Sequence, residues 1–200
     1  MKTLTELADY YKTDKGTLFH NYTAIYEPLL GLTRNDCLRL LEIGIDKGYS
    51  LKMWYDYFPN AHIFGYDIRV RRMVKRFNNP RFTTFLGDQS SRGDLCKLIS
   101  MSGGGFDIII DDGSHISAHI EISLGFLFAY LKSGGRYIIE DLGCSMASGT
   151  QGTLRSLVKT GVLYSSNMLP NELNYLRDSV KTYNFLDLQE RMFLLEHKRQ

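Results

Sequence analysis

The chain has 200 residues, of which 44% are hydrophobic, so it is long enough to bury one ordinary core. Its 24 Lys and Arg residues nearly balance its 22 Asp and Glu residues, giving a formal net charge of +2. So small a charge indicates no nucleic-acid partner. No stretch approaches the ~20 apolar residues of a membrane span, and the N-terminus lacks a signal-peptide pattern. We therefore expect no membrane partner and a cytoplasmic location.

Two further features of the composition point to no specific function. Three widely spaced cysteines, Cys37, Cys96 and Cys144, form no CxxC pattern, so we expect reduced thiols. A basic cluster is better explained as a solvated face than as a binding patch. Its members are Arg69, Arg71, Arg72, Lys75 and Arg76.

Predicted strands and helices alternate through the middle of the chain, a pattern typical of parallel βαβ units. Two helices around the polar loop KTDKGTLFHNYT are predicted to form an N-terminal cap over residues 1–35. Strands are predicted at 37–43, 61–68, 81–88, 106–113 and 136–142, and helices at 50–58, 116–131 and 153–160. SGG (133–135) is predicted to end a helix, and residues 143–152 to form a flexible loop. Two antiparallel closing strands are predicted at 179–188 and 190–198.

These elements predict one α/β domain over residues 1–200 with a Rossmann-like fold. We expect an open, mainly parallel seven-stranded sheet with helices on both faces and an antiparallel last strand. The cofactor-binding core is predicted at residues 36–142. Residues 143–200 would supply a substrate loop, a helix and the closing strands.

The first candidate site is LEIGIDKGYS, in which a predicted strand is followed by Gly44, Gly48 and a predicted helix. Glycine allows a sharp turn and close approach of the backbone to a ligand. The spacing differs from the GxGxxG turn that binds a pyrophosphate, and Glu42 would repel such a group while accepting a hydrogen bond from an ammonium. The segment therefore favours a cofactor without phosphates, although a purely structural turn is an equal alternative.

Polar residues also end the next two predicted strands. Asp67 stands where a carboxylate can accept hydrogen bonds from both hydroxyls of a ribose, with a capping role as the alternative. In GDQS (87–90), Asp88 or Gln89 can bond an adenine amino group. Because the carboxyl ends of parallel strands meet at one edge, these residues are predicted to line one ligand site.

The most specific segment is FDIIIDDGSHISAH, in which an apolar strand delivers Asp111 and Asp112 and His115 follows three residues later. Successive side chains of a strand point to opposite faces, so one carboxylate can face the cofactor and the other the substrate. We assign the cofactor to Asp111. His115, with a pKa tuned by a neighbouring carboxylate or metal, is a candidate general base for a substrate hydroxyl.

A second acidic pair, Glu140 and Asp141, ends the following strand and is predicted to lie beside Asp112. Converging carboxylates repel one another unless a hard cation lies between them, and Mg²⁺ is the expected occupant. Independent surface acids are the alternative. His119 suggests zinc, but the absence of a nearby cysteine makes a histidine packed on a helix face the better explanation.

These segments, together with KTDKGTLFHNYTAIYEPLL and the strand IIEDL, resemble the macrocin and mycinamicin O-methyltransferase family over residues 12–142. The resemblance implies a class I methyltransferase fold with S-adenosylmethionine and Mg²⁺ as cofactors. It implies that Asp112, Glu140 and Asp141 bind the metal and that His115 is the base. It also implies that Glu42, Gly44, Asp67, Asp88 and Gln89 bind S-adenosylmethionine, with Tyr22 over the methionine end. Oligomeric members of the group make a homo-oligomer possible.

The expected activity is methylation of a hydroxyl on a small molecule, in particular a sugar or a glycosylated natural product. One alternative is a metal-dependent methyltransferase of catechol-type aromatic diols, which an apolar, aromatic pocket would favour. A second is an NAD-dependent oxidoreductase, against which the missing GxGxxG turn counts. A non-catalytic cofactor-binding module is a third.

Overall fold

The fold is a seven-stranded mixed sheet with helices on both faces, seen in a computed structural model that describes residues 1–69 and 79–199. The strands are β1 (Arg39–Ile43), β2 (His62–Asp67), β3 (Phe82–Leu86), β4 (Phe106–Asp111), β5 (Leu131–Ile139), β6 (Val180–Phe185) and β7 (Phe193–His197). The α-helices of the described residues are α1 (Leu4–Tyr11), α2 (Thr23–Leu30), α3 (Tyr49–Tyr57), α4 (Arg92–Ser102), α5 (Ser117–Leu127), α6 (Ser148–Thr160) and α7 (Pro170–Ser179). None of these helices combines the length and apolarity needed to cross a bilayer. Four members of the predicted basic cluster, Arg71, Arg72, Lys75 and Arg76, lie outside the described residues.

The strand order is β3-β2-β1-β4-β5-β7-β6. Strands β1 to β5 pair in parallel, whereas β7 pairs antiparallel with both β5 and β6. The predicted fold class is therefore confirmed. The order reverses between β1 and β4, and ligands of open α/β sheets bind at such a point, beyond the carboxyl ends of the strands.

Alternation along the strands divides the core into two apolar clusters. In β1, Leu40 packs with α1, α2 and α3 on one face, whereas Leu41 and Ile43 pack with α4 and α5 on the other. In β4, Ile108 and Ile110 belong to the first cluster and Ile109 to the second. The same alternation decides on which face of the sheet each acidic residue at a strand end lies.

The structure contradicts the predicted role of SGG (133–135). Helix α5 ends at Leu127, a 3-10 turn follows over Phe128–Tyr130, and β5 already begins at Leu131. Gly134 has a φ of +77°, and the pairing of β4 with β5 shifts register between Phe106 and Ile108. The glycines therefore accommodate an irregularity inside the strand and do not cap a helix.

The C-terminal third is more helical than predicted. Helix α6 begins at Ser148, so most of the predicted loop 143–152 is a 3-10 turn and the first turn of a helix. Helix α7 was not predicted; its Pro170 at the first turn has the fixed φ that suits a helix start. The two closing strands are antiparallel, as predicted.

A substitution at Gly44 tests whether the turn that follows β1 is conformationally constrained. Its φ is +82°, and a β-carbon there would lie 2.0 Å from the carbonyl oxygen of Asp112. We expect Gly44→Ala to lower the free energy of unfolding by at least about 1–3 kcal/mol, the usual cost of such backbone strain, in urea titrations.

Gly152→Ala is the matched control, because Gly152 lies in α6 and a β-carbon added there would meet no other atom within 4 Å. That variant is expected to gain about 0.5–1 kcal/mol from helix propensity. Equal stability of the two variants would show that the turn at Gly44 is not constrained.

Candidate functional site

Two adjoining cavities lie at the carboxyl ends of β1, β2, β3 and β4. The larger has a volume of about 420 Å³ and the smaller about 200 Å³. Gly44, Asp67 and Gly113 line both, so they form the boundary between the two cavities. The edge of the sheet at which the strand ends predict a ligand site is therefore concave.

The smaller cavity combines apolar walls with a few polar groups. Ile43, Tyr66 and Ile68 supply apolar surface, while Asp88 and Gln89 supply polar groups to its lining. Such a lining suits a flat heteroaromatic ring with a polar edge.

Gln89 and His119 are both held by partners around this smaller cavity. The Gln89 side-chain oxygen accepts a hydrogen bond from the Ser114 amide at 2.7 Å, and its amide nitrogen lies 3.1 Å from Asp111 Oδ1. His119 also lines the cavity, with Nδ1 3.0 Å from the Ser114 hydroxyl. His119 is not in the group of potential metal ligands found among the described residues.

Asp67 joins the end of β2 to the glycine turn. Its Oδ2 accepts hydrogen bonds from the amides of Ile45 at 2.8 Å and Asp46 at 3.2 Å, and Oδ1 accepts one from the amide of Arg69 at 2.8 Å. The carboxylate is therefore fixed on the boundary between the two cavities. A ribose lying across that boundary would meet it directly.

A buried cation, Lys15, lies among the acidic residues of three neighbouring strands. Its ammonium nitrogen is 2.5 Å from Asp112 Oδ2, 2.7 Å from Glu140 Oε2 and 3.6 Å from Glu42 Oε1. Its side chain is only 1% exposed. Sequence reasoning predicted that a cation would be needed among converging carboxylates; for Asp112 and Glu140 the protein supplies one itself.

Strand parity explains why these acids meet. Glu42 shares the face of Leu40, and Asp112 that of Ile110, so both acids point towards α1, α2 and α3. Glu140 follows the same alternation in β5 and accepts a hydrogen bond from Tyr26 of α2 at 2.5 Å. The N-terminal helices thus cover the acidic ends of β1, β4 and β5.

Burial perturbs the ionisation of the whole cluster. Desolvation raises the pKa of Glu42 to about 7, opposed by Lys15 and by hydrogen bonds from Ser50 and Trp54. Desolvation also raises the pKa values of Asp112 and Glu140, again opposed by Lys15. Burial alone would lower the pKa of Lys15, but the surrounding carboxylates raise it well above its usual value. Lys15 is therefore charged throughout the physiological range.

Asp112, His115 and Asp141 form a second group that opens into the larger cavity. One ligand atom from each lies within 4.8 Å of the others, and His115 Nε2 is 3.8 Å from Asp141 Oδ2. His115 and Asp141 both have a φ of +56°. Non-glycine residues adopt this region rarely, and strained backbone of this kind concentrates at functional sites.

The structure does not bring Asp112, Glu140 and Asp141 to one common point. Both oxygens of Glu140 are engaged, by Lys15 and Tyr26, and the residue does not line either cavity. Asp141 instead lies with His115, and its Oδ1 accepts a hydrogen bond from Tyr22 at 2.5 Å. Tyr22 is buried and does not line the cavities either.

Asp111 points away from Asp112, as alternation predicts, and lies beneath the site. Its carboxylate accepts hydrogen bonds from Ser123 at 2.6 Å, Tyr137 at 3.1 Å and Gln89 at 3.1 Å. It is 1% exposed and lines neither cavity. Asp111 therefore orients Gln89, and Gln89 lines the smaller cavity.

Sequence reasoning missed Lys15 and Tyr26. Both fall in the N-terminal segment that carries part of the family resemblance, but no spacing rule links them to acids about one hundred residues away. Strand parity was the available signal: Glu42, Asp112 and Glu140 share one face of a buried sheet, where an acidic cluster needs a buried cation or donor.

Comparison with known proteins gives a consistent result. No protein-family model matches the chain. A tetracenomycin rhamnosyl 3'-O-methyltransferase of Streptomyces olivaceus is 35% identical over 181 residues, 86% of this chain and 45% of that protein. The demethylmacrocin O-methyltransferase of Streptomyces fradiae is 38% identical over 156 residues, 74% of this chain and 38% of that protein.

The solved structure of the MycE methyltransferase, in complex with Mg and SAH, has a TM-score of 0.79 and 30% identity. It covers 99% of this chain, which covers 54% of MycE. This chain is similar in sequence and fold to the macrocin and mycinamicin O-methyltransferases. It spans about half the length of MycE and 45% or less of the two relatives above.

A pH titration tests the buried acids around Lys15. The pKa of Glu42 is raised in the folded state, so its contribution to stability is present at low pH and is lost as the pH rises through about 7. Relative to Glu42→Gln, the wild type should lose on the order of 3 kcal/mol between pH 4.5 and 7, because one pKa unit corresponds to about 1.4 kcal/mol.

The measurement is urea unfolding of both proteins across this pH range with a chelator present. A difference in unfolding free energy that stays constant with pH would contradict the burial of Glu42 as an acid with a raised pKa.

Proposed function

We propose that this chain is an S-adenosylmethionine- and Mg²⁺-dependent O-methyltransferase that acts on a hydroxyl of a sugar or a glycosylated small molecule. The observation that carries the proposal is the group Asp112, His115 and Asp141, which lines a cavity that adjoins a second, smaller one. The relatives are named as O-methyltransferases of glycosylated natural products, and MycE was solved with Mg and SAH.

The paired cavities suit the two parts of S-adenosylmethionine. The smaller one, lined in part by Asp88 and Gln89, would hold the adenine, and Asp67 would bind the ribose hydroxyls on the boundary. Gly44 lines both cavities, and its missing side chain lets the turn after β1 pack against the backbone of Asp112. Bound in this way, S-adenosylmethionine would supply an electrophilic methyl group with a neutral thioether as leaving group.

The donor atoms at the mouth of the larger cavity fit a hard divalent cation. Asp112 and Asp141 offer carboxylate oxygens, the ligands that Mg²⁺ prefers, and one ligand atom of each lies within 4.8 Å of the other. Glu140, the third ligand implied by the resemblance, would first have to exchange an oxygen contact with Lys15 or Tyr26. The described geometry therefore supports two of the three implied ligands.

His115 is the proposed general base. It lines the larger cavity, and its imidazole lies beside Asp141, whose carboxylate would stabilise the protonated ring. A metal held by Asp112 and Asp141 would orient the acceptor hydroxyl and lower its pKa. His115 would then take the proton as the acceptor oxygen forms its bond to the methyl carbon.

The polar lining of the larger cavity favours a sugar over an aromatic diol. Lys12, Thr13, Asp14 and Lys47 line this cavity, and Phe19 contributes an aromatic ring. Several donors and acceptors around one cavity suit a polyol, whereas catechols would be favoured by apolar walls. The names of the relatives, which include rhamnosyl and macrocin substrates, support the same class.

The single-domain organisation, with its cap at residues 1–35, core at 36–142 and closing region at 143–200, stays a prediction. So do the cytoplasmic location, a homo-oligomeric assembly and the cofactor contacts of Glu42, Asp111 and Tyr22. In the described structure Glu42 lies 3.6 Å from the ammonium of Lys15 and accepts hydrogen bonds from Ser50 and Trp54, so the protein's own side chains hold its carboxylate.

Methyl transfer to a hydroxylated acceptor is the direct test. We expect the purified protein to transfer labelled methyl from S-adenosylmethionine to a rhamnoside or related glycoside, to lose this activity with EDTA and to regain it with Mg²⁺. S-adenosylhomocysteine, and not NAD, should raise the melting temperature. Thermal stabilisation by NAD alone would favour an oxidoreductase, and transfer only to catechols would move the acceptor to the alternative class.

Removal of the proposed base should separate chemistry from binding. We expect His115→Ala to lower kcat by about 10²–10⁴-fold, the usual contribution of a general base, with the affinity for S-adenosylhomocysteine nearly unchanged. Single-turnover kinetics and calorimetry measure the two quantities. A fully active variant would eliminate His115 as the base.

A further inference from the structure

Of the acidic residues that end β4 and β5, some face α1 and α2 or line the larger cavity. The N-terminal segment, residues 12–26, contacts each of these acids. Lys15 lies 2.5 Å from Oδ2 of Asp112 and 2.7 Å from Oε2 of Glu140, and the Tyr26 hydroxyl donates to Oε1 of Glu140 at 2.5 Å. One residue of this segment therefore bridges the carboxylates that close two neighbouring strands.

A second contact from the same segment holds Asp141. The Tyr22 hydroxyl donates to Oδ1 of Asp141 at 2.5 Å, while Oδ2 lies 3.8 Å from Nε2 of His115. In Asp112, likewise, Lys15 contacts Oδ2. Each proposed ligand carboxylate thus has one oxygen bound by the N-terminal segment, and both residues line the larger cavity.

The segment is built to present these groups in fixed positions. The carbonyl of Lys15 accepts a hydrogen bond from the amide of Thr23 at 3.0 Å. Asp9 of α1 accepts bonds from the amide and hydroxyl of Thr17, both at 2.9 Å. Gly16 fits against Asp9 so closely that a β-carbon would lie 2.3 Å from its carboxylate oxygen. These hydrogen bonds and this packing hold the backbone around Lys15 in place, and the position of its ammonium is therefore defined.

We propose that Lys15 and Tyr22 are positioning residues for the divalent cation, each fixing one oxygen of a ligand carboxylate so that the other faces the larger cavity. The inference rests on the proposed function, because it concerns the same cation site. Partners that orient metal ligands commonly change metal affinity by about 10–100-fold when removed. The N-terminal segment is then part of the metal site although it supplies no ligand.

The charge of Lys15 makes the test informative. If Lys15 acted only through its charge, removing it would strengthen binding of a cation, because one positive charge close to the site would be lost. If it positions Asp112, removing it frees the Asp112 carboxylate to rotate away from the orientation that the cation needs, and cation binding weakens. Tyr22→Phe removes a hydrogen bond without changing any charge, so it isolates the positioning effect.

The experiment is a titration of the full chain with MnCl₂ in which free Mn²⁺ is measured by electron paramagnetic resonance. We expect Lys15→Met and Tyr22→Phe each to weaken Mn²⁺ binding by about 10–100-fold. Because Lys15→Met leaves buried acids uncompensated, Lys15→Met/Glu42→Gln serves as a second variant with less buried negative charge, and the same loss of affinity is expected there.

Two matched controls separate positioning from general destabilisation. Tyr57→Phe removes a tyrosine-to-carboxylate bond of 3.1 Å to Glu27, and Arg92→Met breaks the ion pair with Glu172 at 2.7 Å. None of these residues lines either cavity, and both variants should bind Mn²⁺ like the wild type.

Unchanged or tighter Mn²⁺ binding by the Lys15 and Tyr22 variants would overturn the positioning role while leaving the proposed function intact. A wild-type protein that binds no Mn²⁺ would instead overturn the metal-dependent function and this inference with it.

Discussion

The ammonium of Lys15 among Glu42, Asp112 and Glu140 is the interaction on which the rest of the site depends. Three carboxylates on one buried face of a sheet would repel one another and attract water. Breaking a buried ion pair by removing one partner typically costs about 3–5 kcal/mol. This contact fixes the N-terminal helices over the ends of β1, β4 and β5, and residues of the loop between α1 and α2 line one side of the larger cavity.

That arrangement divides the charged residues of the site into two groups. Acids facing the N-terminal helices, such as Glu140, are neutralised internally, whereas Asp141 and His115 open into the larger cavity. Gly44 and Asp67 separate this half from the smaller cavity. The proposed methyl acceptor would lie in the larger cavity beside Asp112, His115 and Asp141, and the proposed adenosyl group would reach it across the boundary at Asp67.

Much of this architecture could be predicted from local sequence signals. Apolar runs ending in polar residues located the first four strands and the ligand edge, because such signals lie within a few residues of one another. Lys15 could not be placed in this way, since its partners come from three strands far along the chain. The SGG segment was misassigned because glycines that cap a helix and glycines that permit a strand irregularity look alike in sequence.

The central claim is that one cation and one adenosyl ligand occupy adjoining halves of this site. A crystal structure grown with Mn²⁺ and S-adenosylhomocysteine, with anomalous data collected at the manganese edge, tests it most directly. The account predicts an anomalous peak contacting Asp112 and Asp141 and a ribose on Asp67. A manganese ion bound elsewhere, or a ligand outside the two cavities, would contradict it.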